Sequence, residues 1–362
     1  MTKKRRISCI FIVMMMLAVF TACGSGTETA GDSRTKMVTD CAGRTVEIPY
    51  EPQRVACLYA STAHMMAMLD EGDKIVGAPN GVKSDVLMQM KYPQIVDTAT
   101  PYQEGSINIE ELARIEADLA LVRYSTAENE GETEKLDDLG IPYVVVDYTT
   151  MDELEEAIDV MGQVFGREDK AQEYIKFSED TVKMVTDRLA DVPEESRPDV
   201  YHSVNEAIRT DGEGDICSEI MSMAAVRNVA AENGVKTGGD KTYVTLEEIY
   251  RWDPDAFIDN ESSVTEYIMT DSKWAGLSAV KNKAVYTLPV GATRWCHPGS
   301  MEAHMGVLAV AVQFYPDRFS DIDMKSYTAE YYERFFGLQL DDETVEKILS
   351  GEGMRVSNAP VK

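Results

Sequence analysis

The segment INIEELARIEADLAL (residues 107–121) decides the fold, because VTLEEIYRWDPDAFI (residues 244–258) repeats it without a gap. Each copy has two adjacent glutamates, then an apolar residue, an arginine, an aspartate and a second apolar run. The copies are separated by about 137 residues. A partial repeat at this distance indicates two similar lobes that each carry one copy.

The pattern around each copy predicts that both lobes are α/β. In the first copy, 109–115 reads as a helix and 119–123 as a strand, and the second copy repeats this at 246–251 and 256–259. A helix at 61–69, with Ser61 or Thr62 as its N-cap, belongs to the same alternation. Alternating strands and helices are typical of parallel sheets. Further strands are predicted at 55–59, 74–78, 143–147, 199–203 and 284–288.

One long helix is expected between the lobes. Residues 168–189 contain neither glycine nor proline and carry apolar residues at helical spacing. A helix of this length extends about 33 Å, which suits a stiff connector. The predicted organisation is a signal peptide, a flexible tether, a first lobe, the connecting helix and a second lobe, at 1–22, 23–36, 37–166, 167–192 and 193–362.

The chain carries a net charge of −28 over 362 residues. Such a surface repels nucleic acid and anionic membranes, which argues against a polyanion-binding role. The acidic residues are spread along the chain, as in an ordinary solvated surface.

The N-terminus reads as an export signal. Four basic residues at 3–6 precede an apolar run at 7–20, which is short for a membrane span. Thr21-Ala22-Cys23 then resembles a bacterial lipobox, so Cys23 is the predicted lipidation site, although Phe20 replaces the usual leucine. The alternative is an ordinary secretory signal with an incidental cysteine.

Several stretches together resemble the substrate-binding lipoproteins of ABC importers for iron chelates, haem and cobalamin. They are TDCAGRTVEIPYEPQRVACL (39–58), the repeated glutamate blocks, LGIPYVVVD (139–147) and RWCHPGSMEAHMGVLAVAVQFYPDRF (294–319). The resemblance covers nearly the whole mature chain. It implies two α/β lobes with mostly parallel sheets, one rigid connecting helix and a shallow ligand cleft between the lobes.

The resemblance also gives the glutamates a role. Glutamates at the top of each lobe dock on arginines of the permease in that family, and they fall on Glu110 and Glu247 here. Acidic residues in the first turn also stabilise a helix through its dipole, by about 0.3–1 kcal/mol, without any partner. The matched positions in both lobes favour docking.

Ligand contacts are expected beyond the carboxyl ends of the strands. Tyrosine can ligate ferric iron or stack on a flat chelate, arginine pairs with carboxylates, and tryptophan can form an aromatic wall. Nine residues of these and other polar types are the candidate ligand contacts: Tyr59, Asn80, Tyr124, Tyr148, His202, Arg209, Arg294, Trp295 and His297.

A group of possible metal ligands lies near the end of the chain. Cys296, His297, Glu302 and His304 are close in sequence, but their spacing matches no standard zinc pattern and Pro298 interrupts them. The chain also has no G-x-S-x-G, no phosphate-binding glycine loop and no H-E-x-x-H. We therefore expect no resident metal, no cofactor and no enzymatic activity.

The expected function is capture of a ferric siderophore or haem by a monomeric, lipid-anchored receptor outside the cytoplasm, and delivery to an ABC permease. A corrinoid such as cobalamin is one alternative, and a molybdate-like oxyanion is another, because Arg209, Arg294 and helix N-termini could hold an anion. Two alternatives come from other functional classes. One is a secreted metal enzyme or metallochaperone that uses the histidine–cysteine group, and the other is a lipoprotein that senses the ligand.

Overall fold

The structure is a computed structural model that describes residues 34–237 and 241–355. The first lobe contains a β-hairpin, a four-stranded sheet and its covering helices. Its strands are β1 (Thr35–Thr39), β2 (Thr45–Pro49), β3 (Val55–Cys57), β4 (Ile75–Gly77), β5 (Tyr102–Gln103), β6 (Ser106–Ile107), β7 (Leu119–Val122) and β8 (Tyr143–Val145). Its helices are α1 (Ala60–Met68), α2 (Asn80–Lys83), α3 (Val86–Lys91), α4 (Ile109–Arg114), α5 (Tyr124–Ala127), α6 (Glu130–Asp138) and α7 (Met151–Phe165).

The connecting helix α8 (Glu168–Leu189) leads to the second lobe. The strands of that lobe are β9 (Asp199–Ser203), β10 (Arg209–Thr210), β11 (Arg227–Asn228), β12 (Thr242–Tyr243), β13 (Ala256–Asp259) and β14 (Val285–Thr287). Its helices are α9 (Ile216–Met223), α10 (Val229–Glu232), α11 (Leu246–Trp252), α12 (Ser262–Thr270), α13 (Ser278–Lys281), α14 (Ala303–Phe314), α15 (Met324–Phe336) and α16 (Asp342–Ser350).

Each lobe is built on a four-stranded parallel sheet. The strand order is β4-β3-β7-β8 in the first lobe and β11-β9-β13-β14 in the second. In both sheets the strand that comes first in the chain (β3 or β9) and the strand of the repeated block (β7 or β13) are central neighbours. The prediction of two parallel α/β lobes joined by one long helix is confirmed.

The aspartate of the repeated block explains part of the repeat. Asp118 precedes β7, and its carboxylate accepts hydrogen bonds from the backbone N–H groups of Gln53 (2.8 Å) and Arg54 (3.0 Å) just before β3. Asp255 precedes β13 and accepts one from the N–H of Asp199 (2.9 Å) at the start of β9. Each aspartate therefore fastens the beginnings of the two central strands of its sheet.

The two lobes share a hydrophobic core. One continuous cluster of buried side chains includes Val55 of β3, Val185 of α8, Ile258 of β13 and the apolar face of α14. The backbone N–H of Val86 in the first lobe donates to the carbonyl of Met354, so the C-terminal segment also contacts the first lobe. Because no solvent layer separates the lobes here, hinge motion between them is restricted.

One local prediction was wrong. The N-cap of α1 is Tyr59, and no side chain caps this helix, whereas Ser61 or Thr62 was expected. Before α14 begins at Ala303, residues 291–300 form an irregular loop. That loop is important for the site.

Candidate functional site

Two adjoining cavities lie between the lobes, and both are lined by Tyr59 of the first lobe and His297 and Pro298 of the second. Cavity A has a volume of about 240 Å³ and cavity B about 150 Å³. Both lie beyond the carboxyl ends of the parallel strands, where ligands bind in α/β folds. Together they are the candidate ligand site.

Cavity B contains the uncapped start of α1. Tyr59, Ala60 and Ser61 line it, and the first N–H groups of α1 receive no side-chain cap. Ser61 Oγ and His64 Nδ1 are buried there without a hydrogen-bond partner, while His64 Nε2 lies 3.0 Å from the buried carboxylate of Asp85. An uncapped helix N-terminus favours a negative charge in front of it.

Two guanidinium groups line the opposite wall of cavity B. Arg294 is ion-paired with Glu261, but its Nε is buried without a hydrogen-bond partner. Arg355 donates to the carbonyls of Gly291 and Ala292 at 3.0 Å each and lies 3.6 Å from the buried carboxylate of Asp85. No aspartate or glutamate lines this cavity among the described residues. Its lining therefore offers hydrogen-bond donors for an anion, while each guanidinium group is paired with a carboxylate outside the lining.

His297 separates the two cavities as a neutral ring. Burial, together with the positive charges of Arg294 and Arg209, lowers the pKa of His297 to about 3. Its Nδ1–H donates to the carbonyl of Pro298 (2.6 Å), and its Nε2 accepts from Asn205 (3.1 Å). Burial is the largest cause of the low pKa, so the ring is a neutral part of the cavity wall.

Cavity A has mixed charge. Arg123, Arg209 and Lys241 line it together with Asp211 and Asp215. The guanidinium of Arg123 stacks 4.9 Å from the centre of the Tyr59 ring and so holds that ring at the cleft. Burial and the neighbouring Asp211 raise the pKa of Asp215 to about 6.

A buried cluster of His202, Cys217 and Cys296 lies beneath cavity A. The ligand atoms of these three side chains lie within 4.8 Å of one another, and all three residues are fully buried. His202 Nδ1 lies 2.8 Å from an oxygen of Asp211, while its Nε2 has no partner. Hydrogen bonding from Cys217 and the charge of His202 lower the pKa of Cys296 to about 7 despite its burial.

Four of the nine predicted ligand residues line the cavities: Tyr59, Arg209, Arg294 and His297. The others lie elsewhere. Asn80 adjoins Gly81 of cavity B and accepts from Thr100, and the Tyr124 hydroxyl donates to the carbonyl of Cys41. The remaining three are buried outside the cavity linings: Tyr148, His202 and Trp295.

The aromatic wall expected at Trp295 is not formed. Trp295 points into the shared core, because α14 packs so closely on its backbone that a side chain at Gly306 would meet the Trp295 carbonyl. His202 points into the buried cluster for a similar reason: β9 is a central strand covered on both faces. In this structure neither the Trp295 nor the His202 side chain lines a cavity, so neither contacts a ligand there.

The sequence-adjacent metal group is also separated by the fold. His304 lies in a cage of aromatic rings from α8 and α15, with ring centres 5.4 Å from Tyr174 and Tyr331. Glu302 accepts from Thr293 and Tyr332. Of that group, only Cys296 joins another possible metal ligand set, and its partners come from distant parts of the chain.

The repeated glutamates have two different environments. The side chain of the second glutamate has a local partner in each lobe: Glu248 completes a capping box with Thr245, and Glu111 lies 3.4 Å from Arg114. The first glutamates, Glu110 and Glu247, are exposed and form no ion pair or hydrogen bond with the described residues. In the described structure these two carboxylates therefore act on their helices only through the helix dipole.

Sequence reasoning missed His64, Arg123, Asp211, Asp215 and Arg355 as lining residues. Arg123 follows β7 directly and could have been found by the strand-end rule. The others come from a helix interior, from loops and from the C-terminal segment, which carry no local signal for the cleft.

Comparison with known proteins agrees with this architecture. A family described as periplasmic binding protein matches residues 55–290. The chain belongs to this family. Members are solute-binding proteins and not enzymes, and they deliver small molecules to ABC permeases.

Individual relatives bind different solutes. The molybdate-binding protein MolA of Haemophilus influenzae is 26% identical over 350 residues, which is 89% of this chain and 97% of MolA. Its molybdate-bound structure covers 84% of this chain and 99% of its own, with a TM-score of 0.77. The uncharacterized ABC transporter substrate-binding lipoprotein YvrC of Bacillus subtilis is 25% identical over 86% of this chain and 98% of its own length. The iron(3+)-hydroxamate-binding protein YxeB of the same organism is 26% identical over 180 residues, 48% of this chain and 51% of YxeB.

The protein is thus an extracytoplasmic solute-binding protein of an ABC importer. The predicted lipidation site Cys23 and the predicted signal peptide lie outside the described residues. Among the helices that the structure describes, none has the length and apolar character to cross a membrane.

Proposed function

We propose that this protein captures a small oxyanion of the molybdate type in cavity B and delivers it to its permease. One observation carries the proposal. The uncapped N-terminus of α1 and the Nε of Arg294, which has no hydrogen-bond partner, line the same cavity, and no carboxylate lines it among the described residues. Buried donors without acceptors destabilise a protein, and an anion between them would satisfy both at once.

Cavity size supports a compact ligand. Pockets for drug-sized molecules have volumes of about 300–1,000 Å³. Cavity B, to which the proposal assigns the ligand, has a volume of about 150 Å³ and by itself falls below that range. A tetrahedral oxyanion fits cavity B, whereas a haem, a corrinoid or a bulky siderophore would have to remain largely outside it. For that reason the oxyanion replaces the ferric chelate as the first candidate.

The relatives point the same way. MolA is named for molybdate and matches nearly its whole length, whereas the hydroxamate-binding relative matches over about half. The similarity to a molybdate-binding protein supports an oxyanion as the ligand class. Arg294 and Arg355 give a physical reason for it, because guanidinium groups bind oxyanions through charge-assisted hydrogen bonds.

Delivery would use the two exposed glutamates. Glu110 and Glu247 occupy equivalent positions at the starts of α4 and α11, so two equivalent basic pockets of a permease dimer could receive them. Lipidation of Cys23 would hold this strongly acidic protein at a membrane that its own charge avoids.

Calorimetric titration tests the ligand. We expect molybdate or tungstate to bind the full-length protein, and Arg294→Gln to weaken binding at least tenfold, equivalent to about 1.4 kcal/mol. Arg114→Gln is the matched control, because Arg114 is an exposed arginine of α4 outside the cleft. Unchanged affinity in Arg294→Gln, or equal weakening in both variants, would disprove the assignment to cavity B.

A ferric hydroxamate is the second candidate, favoured by the relative YxeB. The same titration with ferric hydroxamate and with molybdate separates the two. Tight binding of the chelate without any response to molybdate would restore the iron-chelate function.

A further inference from the structure

The second lobe contains a buried group of nitrogen and sulfur atoms that anion capture does not use. His202 comes from β9, Cys217 from the first turn of α9, and Cys296 from the loop before α14. Three separate elements therefore bring one imidazole and two thiols together in the core, within 4.8 Å of one another. We propose that His202, Cys217 and Cys296 bind a zinc ion.

The orientation of His202 is that of a metal ligand. Its Nδ1 lies 2.8 Å from the carboxylate of Asp211, which leaves Nε2, a buried nitrogen without a hydrogen-bond partner, for the metal. Metal-bound histidines usually donate their other N–H to a carboxylate, which fixes the ring and raises its basicity. A fully buried imidazole nitrogen without a partner is otherwise costly.

The donor set matches zinc in softness and charge. Zinc binds thiolate at about 2.3 Å and imidazole at about 2.0 Å, so its ligand atoms lie about 3.5–3.8 Å apart in a tetrahedron. The three atoms here lie within 4.8 Å of one another, so they would have to approach by up to about 1 Å to reach that spacing. Two thiolates and a neutral imidazole around Zn²⁺ carry no net charge, which suits a buried position.

Two carboxylates connect the site with cavity A. Asp211, Asp215 and Cys217 form a second group whose ligand atoms lie within 4.8 Å of one another, and both aspartates line cavity A. Their negative charge beside Cys217 would attract a cation toward the three ligands.

The first test uses the full-length protein without a polyhistidine tag, stripped of metal under reducing conditions. Zinc is titrated in competition with a chromogenic chelator, and cobalt serves as a spectroscopic substitute. We expect one equivalent of zinc to bind and cobalt to give a sulfur-to-metal charge-transfer absorption. Zinc should also protect Cys217 and Cys296 from alkylation.

Variants then identify the ligands. Cys217→Ser or Cys296→Ser should abolish the cobalt absorption, and Asp211→Asn should weaken zinc binding roughly 10–100-fold while the absorption remains. Cys57→Ser is the matched control, because Cys57 is equally buried but lies in the first lobe against Met66. Circular dichroism checks that each variant is folded.

Three results would overturn the proposal. One is the absence of stoichiometric zinc binding by the reduced wild-type protein, which does not depend on any variant being folded. A second is equal weakening by Cys57→Ser. The third is a Cys217–Cys296 disulfide, found by mass spectrometry in protein isolated without reductant, together with zinc binding that persists in Cys296→Ser.

Discussion

Removing the aspartates that fasten the central strands should destabilise the two lobes unequally. Asp118 accepts two backbone hydrogen bonds and is half-buried, whereas Asp255 accepts one and is exposed. Hydrogen bonds to charged groups contribute about 1.5–3 kcal/mol each, and solvent exposure reduces this. We therefore expect Asp118→Ala to lower the free energy of unfolding by about 3 kcal/mol and Asp255→Ala by about 1 kcal/mol.

Urea denaturation followed by circular dichroism measures both values. The control is Glu134→Ala, an exposed carboxylate on α6 for which the structure shows no hydrogen bond or ion pair. A loss for Asp118→Ala that does not exceed the loss for Asp255→Ala would refute the hydrogen-bond argument. Losses no larger than that of Glu134→Ala would show that the aspartates recur for another reason.

Three further predictions concern docking, the cleft and pH. Charge reversal of Glu110 and Glu247 should abolish uptake while ligand affinity stays unchanged, as measured by transport and calorimetry. Gly299→Ala should weaken ligand binding, because Gly299 has φ +84° and a Cβ there would collide with the Tyr59 hydroxyl at the cleft. Burial lowers the pKa of His304 to about 3, so between pH 6.5 and 3 the unfolded state binds the extra proton and stability falls as pH falls. His304→Phe should remove that contribution, about 2 kcal/mol near pH 5, in urea denaturation.

Each of these has a control or an opposing outcome. Charge reversal of Glu111 and Glu248 is the comparison for docking, and normal uptake after reversal of Glu110 and Glu247 would contradict the docking role. For the cleft, Gly105→Ala also substitutes a positive-φ glycine but lies in open space, so equal effects would indicate general strain. For the pH prediction, the free energy of unfolding is compared between the wild type and His304→Phe. An identical dependence on pH in the two proteins would show that the ring is protonated in the folded protein.

The fold could be predicted largely because its signals are local or periodic. The repeated block, the uninterrupted run of α8 and the strands at 199–203 and 256–259 appear in the structure with the expected limits. Apolar periodicity and the absence of glycine and proline determine such elements regardless of their neighbours. Short helices such as α2, α5 and α10 were missed because four residues carry no period.

The site was predicted less completely because side-chain direction depends on packing. Tyr59 and Arg294 follow or adjoin strand ends and lie at the cleft as expected. Trp295 is the next residue, yet it turns inward, and only the close approach of α14 at Gly306 decides this. Likewise, Cys217 and Cys296 are 79 residues apart in the sequence, and only the folding of the chain brings them together. Their spacing therefore gave no indication of a common site.

The continuous core through both lobes has a kinetic consequence for transport. If the lobes barely move, the empty and the loaded receptor present Glu110 and Glu247 at the same separation, and a permease that reads only those two carboxylates would receive both forms equally well. Empty receptors then compete with loaded ones for the same transporter. The rate of import would depend on the fraction of receptors carrying cargo, and overproducing the receptor when solute is scarce would slow uptake.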